Sequence, residues 1–289
     1  MTPLLESYAH CRRATRHHAR SFYFASHALP YPKRQAAYAV YAFCRHADDL
    51  LDERDVSQAS GQIAYEQELR ALLNRLYDGS ETSLPFGPAF HETIRQFNIP
   101  IQPFEDLVHG VCLDQQPIQI RDWPELRNYC YHVASVVGLV MCPILGLQNP
   151  AAEAQAIELG IAMQLTNILR DIREDLERGR TYLPADELAL FQVTPADLAH
   201  GHVTPQFVEF MKFQIERARD FYRRSEAGIP ALTADGSQLT VWLMRTIYAG
   251  ILDEIEQARY DVFSKRAAVS TLRKLRLAWT AWHQCHQGG

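Results

Sequence analysis

Oxygen-bearing side chains at a four-residue spacing occur in two distant segments of this chain. The first segment carries Asp48 and Asp52. The second carries Asn167, Asp171 and Asp175. On an α-helix, residues four apart lie on one face, one turn above the other. We call Asp48 and Asp52 the first ladder, and Asn167, Asp171 and Asp175 the second ladder. Mg²⁺ prefers oxygen ligands and commonly joins carboxylates to substrate phosphates. The spacing therefore predicts a metal-dependent diphosphate site.

Acidic runs also occur on the solvated faces of many helices, so the surrounding sequence decides between the two interpretations. Residues 36–44 and 157–169, which precede the two sets of acids, are largely apolar, as is typical of buried helices. In both segments the acids follow at the carboxyl end, where the helix dipole disfavours negative charge without a cation. We therefore expect two buried helices that direct their acids into one shared metal site.

Departure of a diphosphate requires positively charged donors near the metal. The candidates are His18, Arg20, Ser21, Arg45 and Arg170. Taken singly, Arg45 and Arg170 are equally well explained as intrahelical partners of neighbouring acids, and His18 as a surface residue. We also expect Arg178 and Arg180 to help close the loop after the second ladder, with Tyr182 as a packing anchor.

Three tyrosines, Tyr41, Tyr129 and Tyr248, lie in largely apolar helical stretches. Aromatic ring faces stabilise cations without attacking them, which suits a substrate that ionises to a carbocation. Each is also explained as a core tyrosine with a hydrogen-bonded hydroxyl.

The composition is that of a globular protein with a large core. The chain has 289 residues, 47% of them hydrophobic and 22% charged. A net charge of −5 argues against nucleic acid as a partner, because phosphate backbones select basic surfaces. The six cysteines form no C-x-x-C pair, a pattern typical of reduced thiols in a cytosolic protein.

Helical periodicity dominates, and proline and glycine separate the helices at short intervals. We predict one all-α domain over residues 1–289, in which the two acidic helices face each other across a central cavity. Predicted helices span 3–19, 33–53, 58–77, 87–97, 102–113, 123–142, 150–177, 205–227, 237–263 and 270–284.

Several segments resemble the squalene and phytoene synthases, from about residue 10 to about residue 276. They are the two acidic helices and residues 21–26, 41–45, 164–171, 179–184 and 260–266. The resemblance implies a class I isoprenoid synthase-like helical bundle around a central cavity. It also implies head-to-head condensation of two prenyl diphosphates through a cyclopropyl diphosphate intermediate. It implies Mg²⁺ as the metal, with Mn²⁺ as an alternative.

The resemblance also assigns roles to individual residues. The implied metal ligands are Asp48, Asp52, Asn167, Asp171 and Asp175. The implied diphosphate-binding residues are His18, Arg20, Ser21, Arg45 and Arg170. The implied lining of the reacting centre is Tyr41, Tyr129, Gln164 and Tyr248. Arg266, or its neighbour Lys265, is implied to reach a diphosphate as well.

Residues 44–49 are most similar to bacterial phytoene synthases. Ser26 is expected to line the tunnel for the prenyl tail, where a small side chain leaves depth for a C20 chain, although the bulky Tyr38 near that wall weakens the argument. The expected reaction joins two geranylgeranyl diphosphates into 15-cis-phytoene without a nicotinamide. The alternatives are a C30 synthase that uses farnesyl diphosphate and makes dehydrosqualene, presqualene diphosphate or squalene, and a non-catalytic assembly factor.

The sequence shows neither a signal peptide nor a clear membrane span, because the uncharged stretch 129–148 contains glycines and Pro143. We expect that stretch to be a buried helix ending near Pro143, and the protein to be cytoplasmic. Peripheral contact with the inner face of the membrane is a further hypothesis, with an ordinary charged helix as its alternative. It depends on a basic tail of Arg259, Lys265, Arg266, Arg273, Lys274 and Arg276.

Overall fold

Helices form the regular structure of the protein. The computed structural model describes residues 2–52, 59–114 and 118–287, without the side chains of residues 51–63 and 287. Over these ranges, β pairing is limited to two isolated bridges, which confirms the predicted all-α class. The α-helices are α1 Pro3–His18, α2 Arg20–Ala25, α3 Tyr31–Asp52, α4 Ala59–Asp78, α5 Gly87–Phe97, α6 Gln102–Leu113, α7 Trp123–Cys130, α8 Val136–Leu145, α9 Glu153–Arg170, α10 Ile172–Glu177, α11 Ala185–Leu190, α12 Pro195–Ala199, α13 Pro205–Ser225, α14 Ser237–Gln257 and α15 Thr271–Gln287.

Two large apolar cores hold the bundle together. One joins α3 to α4, α5 and α6 and contains Phe43, Phe90 and Phe104, whose ring centroids are each 5.1 Å from the other two. The other joins α9 to α7, α13 and α14 and includes the fully buried Phe207 and Phe210. Burial of each such side chain contributes about 1.5–3 kcal/mol. The two helices with the acidic segments therefore belong to separate cores, and a cavity lies between them.

A π-helical turn, Tyr131–Ser135, joins α7 to α8 and lies between α6 and α9. Two glycines allow α6 and α9 to pack this closely against the π-helical turn, because neither glycine has a Cβ. A Cβ on Gly160 would lie 2.5 Å from the Ser135 Cα, and one on Gly110 would lie 2.7 Å from the His132 carbonyl. π-Helical turns inside helices are frequent at functional sites.

The helix that was expected to end near Pro143 ends at Leu145, two residues later, and its C-cap Gly146 has a left-handed φ of 76°. The helical stretch Trp123–Leu145 has the length and apolar composition of a membrane span, and 44% of its most apolar window is buried in the protein.

The predicted helix over 237–263 ends early, at Gln257. Arg259 and Tyr260 adopt left-handed φ angles of 55° and 65°, and the Tyr260 amide donates to the Ile255 carbonyl at 2.9 Å. This arrangement closes the helix as a glycine cap would. Its consequence is that the following segment, with Arg266, leaves the α14 axis and returns to the carboxyl end of α9.

The helix predicted over 150–177 is also interrupted. It is divided into α9 and α10 at Asp171, whose φ of −105° and ψ of 14° lie close to the sparsely populated region between helix and strand. The short helices α2, α11 and α12 were not predicted, since each is too short for a hydrophobic period to be detected.

Candidate functional site

A largely apolar cavity of about 360 Å³ lies between α3 and α9. Four of the residues that the sequence predicts for the site are in its wall, namely Tyr41, Gln164, Asn167 and Tyr248. The apolar part of the wall includes Phe22, Val40, Val137, Met141, Leu159, Met163, Val241 and Met244. Such a wall excludes water and suits an apolar substrate whose reactive end lies among the few polar groups.

The first acidic pair lies beyond the cavity on α3. Tyr41 and Cys44 line the wall, and Asp48 is exposed one turn further along the same helix. Asp52 is the last residue of α3, and its side chain is outside the described part of the chain. Helical geometry therefore places Asp48 at the end of the stripe of α3 that faces the cavity.

Arg45 has one described ion pair and one unsatisfied donor atom. Its guanidinium forms an ion pair with Asp49, and its Nε is buried without a hydrogen-bond partner among the described residues. An unsatisfied buried donor costs about 1–3 kcal/mol, which an anionic ligand oxygen would recover. His18 is close enough for its pKa to be lowered by partial burial and by the charge of Arg45. The structure thus contains the intrahelical ion pair of Arg45, and it also places His18 within range of the charge of Arg45.

The second ladder keeps its spacing across the break between α9 and α10. The Asp171 amide donates to the Asn167 carbonyl, and the Asp175 amide donates to the Asp171 carbonyl, both at 2.9 Å. The Asn167 side-chain amide donates to Gln164 Oε1 at 3.3 Å, which leaves Asn167 Oδ1 as the atom for a cation. Because α10 restarts after Asp171, Asp175 lies in the first turn of a helix. The predicted placement of all these acids at a carboxyl end is therefore wrong for Asp175.

Asp171 is the centre of the site's charge network. Its carboxylate accepts hydrogen bonds from Arg170 Nε and Arg266 Nε, each at 2.7 Å, and from the second Arg266 nitrogen at 2.9 Å. Burial alone would raise the pKa of Asp171, but the hydrogen bonds from the two arginines lower it overall. Lys265 is exposed, and no contact of its side chain is described, so Arg266 is the better match for the predicted basic residue of this segment.

A carboxylate that the sequence interpretation missed, Asp114, completes this region. It accepts hydrogen bonds from the hydroxyls of Tyr129 at 3.2 Å and Tyr182 at 2.8 Å, and the two rings stack with centroids 4.8 Å apart. A backbone bridge between Gln119 and Thr181 holds the segment of Tyr182 in place. Asp114 directly follows α6, and an acid at the end of an apolar helix was the feature that singled out the two ladders.

The pKa of Asp175 is well above the ordinary value for an aspartate. Burial, then the nearby charge of Asp171, raises the pKa of Asp175 to about 7, and Asp114 contributes in the same direction. A divalent cation would relieve this repulsion between carboxylates. The hard oxygen donors Asn167, Asp171 and Asp175 fit Mg²⁺ by chemistry, although no group of three or more His, Cys, Asp or Glu in the described ranges has the geometry of a metal site.

The structure does not bring every predicted residue to the cavity. Arg20 lines a basic surface depression, and Ser21 is half-buried at the start of α2. Ser26 is fully buried, and its hydroxyl bonds to the Tyr38 hydroxyl and the Tyr23 carbonyl, both at 2.8 Å. Ser26 packs between α2 and α3. It does not line the cavity between α3 and α9, where the tunnel for the prenyl tail was expected.

Comparisons with known proteins agree with this geometry. The squalene/phytoene synthase family model matches residues 15–273. The phytoene synthase of Arthrospira platensis is 40% identical over 285 residues, covering 93% of this chain and 90% of that protein. The 15-cis-phytoene synthase of Synechococcus elongatus is 39% identical, with coverages of 95% and 92%. A ligand-bound crystal structure of a dehydrosqualene synthase superposes with a TM-score of 0.89 at 31% identity, over 99% of this chain and 100% of that one.

Proposed function

The chain belongs to the squalene/phytoene synthase family, and we propose that it is a prenyltransferase that joins two geranylgeranyl diphosphates head to head into 15-cis-phytoene. One observation carries the proposal. The wall of the cavity is largely apolar, and on α9 it leads through Gln164 and Asn167 to Asp171 with its two arginines. Such a wall suits prenyl tails, and the charged residues suit their diphosphates. Two cyanobacterial relatives are named as phytoene synthases. Their names support phytoene as the product here, and therefore C20 substrates.

The basic residues would bind and stabilise the departing diphosphate. Arg45 offers a buried Nε, and Arg170 and Arg266 meet at Asp171. Guanidinium groups form strong charge-assisted hydrogen bonds with phosphate oxygens. Mg²⁺, which we propose is held by Asp48, Asp52, Asn167, Asp171 and Asp175, would neutralise charge on that leaving group.

The cavity would protect the carbocation that remains after diphosphate departs. Tyr41 and Tyr248 are in the cavity wall, where aromatic side chains can stabilise a cation. Burial raises the pKa of Tyr41 to about 12, and burial raises that of Tyr248 as well. Both hydroxyls therefore stay neutral and do not quench the cation as phenolates. The surrounding methionine and valine side chains keep water away.

Product analysis tests the proposal. Purified protein with geranylgeranyl diphosphate and Mg²⁺ is expected to give a C40 hydrocarbon, identified by mass, with no requirement for a nicotinamide. Chelation of the metal should stop the release of diphosphate. Turnover of farnesyl diphosphate alone would instead identify a C30 synthase, and a folded protein without Mg²⁺-dependent diphosphate release would identify a non-catalytic relative.

Asp114 is expected to position Tyr129 for this reaction. The Asp114→Asn variant keeps the shape but has a single side-chain oxygen for two tyrosine hydroxyls. Loss of one such hydrogen bond is worth about 1 kcal/mol or more, so kcat/KM should fall by roughly 5- to 20-fold. Because the charge of Asp114 raises the pKa of Asp175, the acidic limb of the kcat/KM profile should also move to lower pH.

Tyr182→Phe is the matched control for the Asp114→Asn variant. It removes one of the same two hydroxyls and leaves the carboxylate bonded to Tyr129, so its kinetic effect should be the smaller of the two. Equal pH profiles for Asp114→Asn and the wild type would contradict the positioning role.

A further inference from the structure

An exposed apolar stripe runs along α15, away from the cavity. Its residues are Leu272, Leu275, Trp279 and Trp282, whose exposed fractions are 76%, 55%, 64% and 42%. Their spacing of three and four residues places them on one side of the helix. The two indole rings stack with centroids 5.5 Å apart. We call these four residues the α15 stripe.

The opposite side of α15 is fixed to the protein. Ala281 is fully buried, and Leu277 approaches so closely that a Cβ on Gly250 of α14 would lie 2.8 Å from its Cδ1. In turn, α14 contributes Val241 and Met244 to the cavity wall. The α15 stripe is therefore held rigidly one helix away from the cavity.

A group of basic side chains lies beside α15. Arg13, Arg16, His17 and Arg20 of α1 and α2 line an open surface depression of about 640 Å³, which we call the basic depression. Helix α2, which carries Arg20, packs against α15, since Ala25 of α2 shares an apolar cluster with Ala278 and Ala281 of α15. Lys274 of α15 lies on the same side, and its pKa is lowered by burial and then by the charge of Arg20. Clustered positive charge of this kind contrasts with the net charge of −5 of the chain and is complementary to an anionic surface.

We propose that the α15 stripe and the basic depression together form a docking surface for an anionic lipid bilayer. Tryptophan and leucine side chains insert at the boundary between headgroups and acyl chains. Each nearby arginine or lysine adds about 1 kcal/mol of attraction to anionic headgroups. A second copy of the chain is the weaker candidate, because a two-fold interface built on this surface would bring the two basic depressions together.

Docking on a bilayer would bring the proposed enzyme to its apolar substrates, but the observations that support the docking surface do not rest on the proposed function. Prenyl tails and a hydrocarbon product partition into lipid, and the docking surface is next to the helix that borders the cavity. The binding experiment below requires no turnover, so a failure of docking is distinguishable from a failure of the proposed condensation.

Cosedimentation with vesicles tests the proposal. Wild-type protein is expected to bind mixed phosphatidylcholine–phosphatidylglycerol vesicles, and to bind pure phosphatidylcholine vesicles more weakly. The double variant Trp279→Ser/Trp282→Ser should lower the partition coefficient by at least about tenfold, because each lost side chain removes buried apolar area. Arg13→Gln/Arg16→Gln should lower it by about tenfold on anionic vesicles only, with the remaining binding less sensitive to salt.

Leu190→Ser is the matched control, since Leu190 is a leucine of α11 with 74% exposure that is outside the docking surface. It should bind vesicles as the wild type does. Circular dichroism confirms that each variant is folded, and turnover with detergent-dispersed substrate should be unchanged in all of them. Binding that is unaffected by the tryptophan pair, no binding by the wild type, or loss of a dimer rather than of lipid binding in the tryptophan variant would overturn the proposal.

Discussion

Replacement of Asp171 with asparagine is expected to lower kcat/KM by about 100-fold or more while the protein remains folded. Asp171 pairs with Arg170 and Arg266 and continues the oxygen ladder of Asn167. Asparagine keeps the size of the side chain but removes the charge that the arginines and a divalent cation require. Loss of a single preorganised electrostatic group at a reacting centre commonly costs about 100- to 1,000-fold. Steady-state kinetics over a range of Mg²⁺ concentrations measures the effect.

Glu174→Gln provides a matched control for this variant. Glu174 lies on the first turn of α10 and reaches Arg266 at 3.6 Å, but its side chain is half exposed. Exposed ion pairs contribute about 0–1 kcal/mol, so this change should alter kcat/KM by less than about fivefold. Similar activities for Asp171→Asn and the wild type would remove Asp171 from the reaction. Similar losses of kcat/KM in Asp171→Asn and Glu174→Gln would mean that the reaction needs negative charge near Arg266 and does not need Asp171 as a metal ligand.

The sequence predicts those parts of the site that depend on local geometry. Residues four apart on a helix share a face whatever surrounds them, so the spacing alone places Asp48 beyond Cys44 on α3 and Asp171 beyond Asn167 at the end of α9. It does not predict the break that puts Asp175 on α10. The apolar stretches before them predict that both helices are buried. The cavity between α3 and α9, with Tyr41, Gln164, Asn167 and Tyr248 in its wall, agrees with that prediction.

Features that depend on distant contacts were not predicted from the sequence. Arg266 reaches Asp171 across 95 positions, and it does so because Arg259 and Tyr260 turn the chain with left-handed backbone angles that no pattern indicates. Ser26 is a small residue in a suitable segment, yet its hydroxyl is bonded to Tyr38 within the packing of α2 on α3. Tertiary contacts override local preference at such positions.

The stability of the metal-free protein is expected to fall as the pH rises from about 5 to 8, with Asp175 as a principal cause. Its pKa of about 7 in the folded protein exceeds its ordinary value of 3.8. Between these values the folded state retains a proton that the unfolded state has released, so the free energy of unfolding decreases with pH. At about pH 8, one unit above this pKa, the buried charge next to Asp171 is nearly fully formed and the loss is nearly complete.

Asp175→Asn isolates this contribution, because the other titrating groups remain in place. In the presence of a chelator, the variant should have a higher Tm than the wild type at pH 8, and the difference should shrink or reverse near pH 5. Mg²⁺ binds the charged carboxylates of the folded state, so it should raise the Tm of the wild type at pH 8 more than at pH 5.5. Thermal unfolding of both proteins over this pH range measures the effect, and parallel Tm profiles would show that Asp175 is not the titrating group. If Mg²⁺ still raised the Tm of Asp175→Asn as much as that of the wild type at pH 8, the cation would have to bind without this carboxylate.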